Sequence, residues 1–393
     1  MSNNYTIVEV NNPRRVKEFL MLPVRLYKDE KNFIRPLDQD IEEVFDPQKN
    51  KFFRNGEAIR WLLQDEKGQT VGRVAAFVDW KTAHKNDQPT GGMGFFECIN
   101  DQEAAFQLFD QCKQWLEERG LEAMDGPVNF GDRDRWWGLL VDGFEFEPNY
   151  CMPYNFPYYQ NLFEAYGFRN FFNQYTYYRE IKKEGLSPVI EKKAERVRSN
   201  PNYRFEHLDR KNLVKYTEDF RDIYNRAWSR YSGVKKITRA HAMALMKSLK
   251  PILDEKLMLF AYYGDDPIAF FLMVPDANQI VKHLNGRMNL LAKLKFLYFK
   301  KLHPPKKVLG LIFGVVPEHQ GRGVEGGLVM AFGDIALNKG FPYKDLELNW
   351  IGDFNPTMMK VAEQIGAVIR KTHVTYRYLF DRTKPFEREK KVS

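Results

Sequence analysis

Apolar residues along this chain recur with two periods, and each change of period marks a new element. Tyr5–Val10 alternates and reads as a strand. Pro13–Tyr27 then places Val16, Phe19, Leu20 and Val24 at helical spacing. Ala58–Gln64 and Thr70–Asp79 alternate again, and the "DEKG" between them is a hairpin signal. Gly94–Ile99 predicts another strand. The stretch "NDQEAAFQLFDQCKQWLEERG" predicts a helix capped by Asn100 and ended by Gly120. "AMDGPVNF" reads as a strand, "FPYYQNLFEAYGF" as a short helix stopped by Gly167, and "NQYTYYREI" as a closing strand.

The second half repeats this order. Strands are predicted at Tyr203–Leu208, Leu257–Tyr263, Pro267–Val274, Val308–Val316, Asp345–Trp350 and Thr372–Phe380. Helices are predicted at Leu213–Arg230, Arg239–Leu249, Gly323–Asn338 (ended by Gly340) and Pro356–Ile365 (stopped by Gly366). "FEAYGF" corresponds to "AEQIGA", and "FFECINDQEAAFQLF" to "GVVPEHQGRGVEGGLVMAF". The pattern predicts an α/β (α+β) protein made by internal duplication. Residues 1–183 form one domain, 184–202 a linker with a short charged helix at Val189–Ser199, and 203–393 a second domain. The halves differ at one place: only the second inserts a glycine-rich turn between strand and helix.

Composition narrows the partners. A length of 393 residues suits two domains. A net charge of +8 favours anionic partners such as phosphates, a coenzyme or a lipid headgroup surface; nucleic acid is not expected. Cys98, Cys112 and Cys151 show no zinc-site spacing and cannot all pair, which fits a reducing cytoplasm and no metal. "MSNNYTIVEVNNPRR" has no apolar core of a signal peptide, and no run approaches the roughly 18 apolar residues of a membrane span. Any membrane contact is therefore peripheral, on the inner face.

In the turn, Gly321 and Gly323 free the backbone to approach an anion, and the start of the following helix supplies unpaired N–H groups. Arg322 adds charge. Gln320-Gly321-Arg322-Gly323-Val324-Glu325 resembles motif A of the GCN5-related N-acetyltransferase (GNAT) superfamily, Gln/Arg-x-x-Gly-x-Gly/Ala between a strand and a helix. Its last position departs from the pattern. A carboxylate beside a pyrophosphate is unfavourable, so Glu325 either points away or shifts the loop, and Gly326 and Gly327 follow at once. Asn355 and Gly366 stand eleven residues apart, as at the ends of the superfamily's fourth helix. The tyrosine that often protonates the leaving thiolate falls at Ala362.

The tandem arrangement, with only the second half keeping the loop, is similar to N-myristoyltransferases and Fem-type transferases. "GLLVDGFEFEPNYCMPYNFPYYQNLFEAYGF" resembles a bacterial group near ceramide synthases. The resemblance implies two GNAT-like domains, each a mixed, mostly antiparallel twisted sheet flanked by helices, the first degenerate and lacking the pyrophosphate loop. It implies acyl-CoA as cosubstrate, held by Val315, Val316, Gln320, Gly321, Arg322, Gly323, Val324, Gly326 and Asn355, with the oxyanion facing a backbone N–H near Val315 or Val316.

Acyl transfer to an amine needs a proton acceptor, because an alkyl amine near pKa ~10 is about a thousandfold protonated at pH 7. In "DLELNWIGDFN", alternation puts Glu347 and Asn349 on one strand face. Glu347 is the candidate base, Asn349 and Asn355 are orienting groups, and His283 in "VKHLNG" is a rival base. Solvated strand polarity and an ordinary helix cap explain the same residues without chemistry. The run 130–144, with Asp132 to Arg135 before Trp136 and Trp137, is a candidate loop over the cleft, with Tyr154 and Asn155 beside it.

"MNLLAKLKFLYFKKLHPPKKV" (288–308) is a helical insertion. Leu290, Leu291, Leu294, Leu297, Tyr298 and Leu302 cluster by helical period, lysines abound, and no acidic residue occurs within it. It reads as an interfacial helix on anionic lipid, or as a helix packed on the sheet. The leading reading is an acyl-CoA-dependent N-acyltransferase whose acceptor amine is a lipid, such as a sphingoid base. The alternatives are a Fem-like aminoacyl-tRNA-dependent transferase and a non-catalytic acyl-CoA-binding sensor.

Overall fold

The computed structural model describes residues 4–85, 88–228 and 236–391. In chain order the first half holds β1 (Thr6–Glu9), α1 (Pro13–Leu26), α2 (Asp38–Val44), β2 (Gly56–Gln64), β3 (Thr70–Asp79), β4 (Thr90–Cys98), α3 (Gln102–Glu117), β5 (Ala123–Gly126), β6 (Leu139–Asp142), α4 (Tyr158–Tyr166) and β7 (Arg169–Glu180). There follow α5 (Pro188–Arg198), β8 (Tyr203–His207), α6 (Leu213–Ala227), α7 (Arg239–Leu249), β9 (Met258–Tyr263), β10 (Asp266–Pro275), α8 (Asn278–Val281), α9 (Leu290–Leu302), β11 (Lys307–Val315), α10 (Val324–Ala336), β12 (Asp345–Gly352), α11 (Pro356–Gln364) and β13 (Val368–Leu379).

Most predicted elements are present, and the differences have local causes. The α3 cap is Asp101 rather than Asn100, because the Asp101 carboxylate accepts the Ala104 N–H. β5 stops at Gly126, since Pro127 has no N–H for the ladder. α2 and β6 are short elements that the hydrophobic pattern did not reveal. The last residues predicted for α6, Ser229 and Arg230, lie outside the described residues.

All strands join one mixed sheet in the order β1-β2-β3-β4-β5-β13-β7-β12-β11-β10-β9-β8, with β6 added beside β13. Two pairs are parallel, β4–β5 and β11–β12, and the others antiparallel. The two halves exchange their closing strands. β7, from the first half, pairs with β12, while β13, the last strand of the second half, pairs with β5. β7 and β13 also pair with each other across the middle. The cores follow the exchange: Val374, Tyr376 and Tyr378 of β13 pack among first-half residues such as Phe109 and Phe163. Tyr177 of β7 packs with Ile351, Ala362 and Ile365 of the second half.

Candidate functional site

β11 and β12 pair only from Lys307 with Asp345 to Gly310 with Leu348; beyond Gly310 they part and leave a notch. The first half shows the same divergence after Gly92 and Asp125, but closes it with its own chain. There Val128 donates to Met93 O at 2.8 Å, and its carbonyl lies where a Cβ on Gly94 would stand. In the second half, Leu311 is 41 % exposed at the mouth of the notch.

The N–H groups at the end of β11 are divided by strand alternation. Val316 donates to Ile268 O at 2.9 Å in β10, so that N–H is spent. Val315 sits opposite Ala269 in the same register, which directs its N–H to the other side, toward the notch. Of the two amides near the expected oxyanion position, Val315 is therefore the one with the right aim. Gln320 folds back and donates from Nε2 to Val315 O at 2.9 Å, which closes the turn rather than pointing out of it.

The turn runs through a short 3-10 segment, Pro317–His319, into Gly321 at φ 70° and Gly323 at φ 101°, the latter capping α10. Positive φ is what these positions require of glycine. A Cβ on Gly323 would also lie 2.7 Å from Lys193 O, because α5 crosses the turn. The first-turn N–H groups of α10, on Val324, Glu325 and Gly326, have no intrahelical acceptors. α5 brings basic residues alongside, and Arg196 donates to Arg322 O. Two of these residues also serve the packing of the helix. Gly326 is buried, and a Cβ there would meet Ile190 at 2.9 Å, so its missing side chain serves helix packing. Val324 is fully buried and anchors the helix start. Glu325 does not point away: its Oε1 accepts from the Gly321 N–H at 3.4 Å, within the turn.

Glu347 and Asn349 do share a face, and Asn149 of the first half joins them. Its Nδ2 donates to Glu347 Oε2 at 2.7 Å and Asn349 Oδ1 at 2.9 Å. Glu347 is completely buried. Lys371 stands 2.9 Å, Arg370 3.2 Å and Lys307 3.3 Å from its carboxylate. Lys307 also reaches the buried Asp276 at 3.6 Å. Burial alone would raise the Glu347 pKa, but Lys371 and Lys307, with the bonds from Lys371 and Asn149, bring it down to about 2. A carboxylate so held is ionised at neutral pH and a weak proton acceptor. This geometry argues against the base role and makes Glu347 the anchor of a charged cluster where the halves meet. Asn149, Lys307, Lys371, Arg370 and Asp276 were not foreseen from the sequence. The signal for Lys371 was its place in "KTHVT", in step with His373 and Thr375 on the inward face of β13.

The other candidates disperse. His283 stacks on Phe299 of α9 at a centroid distance of 4.1 Å, and burial with neighbouring Lys282 lowers its pKa. No hydrogen bond or ion pair joins it to Glu347 among the described residues. Asn355 caps α11, its Oδ1 accepting from Met358 N at 3.2 Å. Asn155 brackets the Leu140 backbone and Tyr154 binds Glu30, so both serve the first half. The 130–144 segment does reach the second half: Arg133 O accepts the Trp350 indole N–H at 3.0 Å on β12.

Ala362 is fully buried and packs with Tyr177, carried in by the exchanged β7. The Tyr177 hydroxyl is buried with no hydrogen-bond partner among the described residues. Burial, with the charge of Glu363, pushes its pKa up to about 12, so it keeps its proton. An open groove of about 710 Å³, lined by Val16, Leu20, Met21, Arg35 and Arg287, lies apart from the notch. Among the described residues, no group of three or more His, Cys, Asp or Glu side chains could hold a metal, and no helix is long and apolar enough to cross a membrane.

A parallel strand pair bridged by a helix occurs once in each half, β4-α3-β5 and β11-α10-β12, and only the second pair opens beside a glycine turn; this duplicated arrangement is that of the tandem GNAT fold. The chain superposes on a tandem GNAT protein from the clavulanic acid biosynthesis pathway with a TM-score of 0.55 at 10 % identity, covering 98 % of this chain and all of that one. It also matches the GCN5-related glucosamine N-acetyltransferase region of a fungal multi-domain GH3 β-N-acetylglucosaminidase, with a TM-score of 0.56 at 13 % identity, covering 96 % of this chain and spanning 38 % of that longer one. Among curated proteins it is similar to the bacterial ceramide synthase of Caulobacter vibrioides, 28 % identical over 380 residues, 94 % of this chain and 96 % of that protein. No family model matches the chain.

Proposed function

We propose that this protein is an N-acyltransferase that takes an acyl group from a CoA thioester and gives it to an amine. The observation that carries this reading is the notch between β11 and β12, open beside the positive-φ turn at Gly321 and Gly323 and faced by the Val315 N–H. The turn and the first-turn amides of α10 would hold the pyrophosphate, with α5 adding positive charge. The pantetheine would lie in the notch. The amine attacks the thioester carbonyl, and Val315 N–H donates to the oxygen that gains charge. Collapse expels the thiolate and leaves an N-protonated amide, whose proton passes to solvent. Tyr177, packed against Ala362, would give one proton to the thiolate in place of the tyrosine absent there, and would regain it once the products leave and water enters the notch. Glu347 stays ionised throughout, so the neutral amine is drawn from its own solution equilibrium.

The similarity to a protein named a bacterial ceramide synthase supports a long-chain lipid amine, such as a sphingoid base, as acceptor. A second reading, an acyl-CoA sensor without turnover, draws on Ala362 and on Glu325 within the turn. A Fem-like use of aminoacyl-tRNA would leave the glycine turn without a ligand. The test is release of free CoA from acetyl-, hexanoyl- and palmitoyl-CoA with sphingoid and simple alkyl amines, with Gly323→Glu as control. Turnover that needs a long acyl chain and a lipid amine, and vanishes in the variant, supports the proposal. Stabilisation by acyl-CoA without turnover on any amine points to the sensor, and no response to any acyl-CoA overturns both.

A further inference from the structure

An ordinary surface helix turns its most apolar arc inward; α9 does the reverse. Leu290 is 74 % exposed and Leu291 71 %, and Leu294, Leu297, Tyr298 and Leu302 are exposed as well. At ~100° per residue these six side chains span an outward arc of roughly 140°. The opposite side docks on the protein. Ala292 is buried there, Phe296 and Met288 pack with Leu37, Val281 and Leu284, and Phe299 stacks on His283. Asn289 caps the helix start and Lys300 Nζ donates to Pro251 O, so the helix is held at both ends. The orientation is therefore fixed by contacts, and the leucine face has no partner within the chain.

We infer that α9 is an in-plane anchor on an anionic lipid bilayer. Lys293 borders the apolar arc on one side and Lys295 on the other, with Lys301 near its C-terminal end, where a long side chain reaches outward to headgroups. No acidic residue lies between positions 288 and 308, so the face complements a negative surface along its whole length. The same charge disfavours a second copy of this chain, because a two-fold contact through α9 would set lysines against lysines. Thirteen residues make a helix of about 20 Å, too short to cross a bilayer and suited to lying in its interface.

The experiment is flotation of the full-length protein with phosphatidylcholine vesicles, with and without phosphatidylglycerol, across a salt series. Binding is expected on the anionic vesicles and should weaken as salt rises. The triple variant Leu290→Ser, Leu294→Ser, Leu297→Ser changes only exposed side chains and should keep its melting temperature, yet lose affinity about tenfold or more. A second variant, Lys293→Gln with Lys295→Gln and Lys301→Gln, should lose most of the salt dependence. Equal binding by the wild type and the leucine variant overturns the proposal, and so does no binding to either vesicle. Sedimentation of the wild type as a dimer that the leucine variant abolishes, without vesicle binding, assigns the face to a second copy instead.

Discussion

The Asn149 side-chain amide donates a 2.7 Å hydrogen bond to the carboxylate of Glu347, a residue 198 positions later in the chain. That one contact ties a loop of the first half to a central strand of the second, inside a cluster that also holds Lys307, Arg370 and Lys371.

Acid should loosen this junction first. The Glu347 pKa is depressed to about 2 in the folded protein, from an ordinary value of 4.5. Its contribution is therefore complete above about pH 4.5 and is lost as pH falls toward 2. Glu347→Gln should lower the melting temperature strongly at pH 7, and the gap from wild type should shrink as the pH is brought down through that window. Glu347→Ala, which leaves the buried Lys371 without its ion-pair partner, should cost about 3–5 kcal/mol in urea denaturation. A constant gap at every pH would remove Glu347 from the charge-anchor role.

Glu325 is the acidic group at the α10 end of the turn proposed to hold a pyrophosphate, and it takes the Gly321 N–H for itself. Glu325→Gln should therefore tighten CoA binding by roughly threefold to tenfold, as removing a nearby like charge does at an exposed helix start. Isothermal titration with CoA reads this directly, and weaker binding would mean that the carboxylate organises the loop for its ligand.

Gly323 combines a positive φ with the close passage of α5. Gly323→Ala should destabilise the fold by about 1–3 kcal/mol and abolish the thermal stabilisation by CoA. Gly321 has a positive φ but open space around it, so Gly321→Ala should show the smaller loss in the same melting assay.

Tyr177→Phe separates chemistry from packing. Removing a buried hydroxyl without a partner should leave stability unchanged or raise it by up to about 1 kcal/mol. If that hydroxyl protonates the thiolate, kcat should fall about a hundredfold with KM for acyl-CoA held. A stable variant with wild-type kcat would exclude the role.

The order of elements was readable because strand and helix periods differ and glycines punctuate them, as at Gly167 and Gly366. The turn at Gly321 and Gly323 was readable for the same reason: two positive-φ residues between a strand and a helix have few uses. The partner of each strand was not. β7 and β13 each bury side chains on both faces, so local alternation does not say which half a strand will join. The packing role of Gly326 was hidden for the same reason: a Cβ there would meet Ile190, which lies far away in sequence. Glu347 and Asn349 were correctly placed on one face, but the cations around Glu347 come from β11 and β13. Their meaning depends on a pairing that the strand's own residues do not encode.

The exchange of closing strands sets a timetable for synthesis. The ribosome releases β5 early, but its sheet neighbour, Val368–Leu379, is made only after every other strand of the second half. Until then the first half lacks Val374, Tyr376 and Tyr378 from its interior and keeps an open sheet edge. β7 likewise waits for β12. The first half therefore closes only through pairings made across the full length of the second, the long-range kind of contact that forms slowly and leaves strand edges open meanwhile.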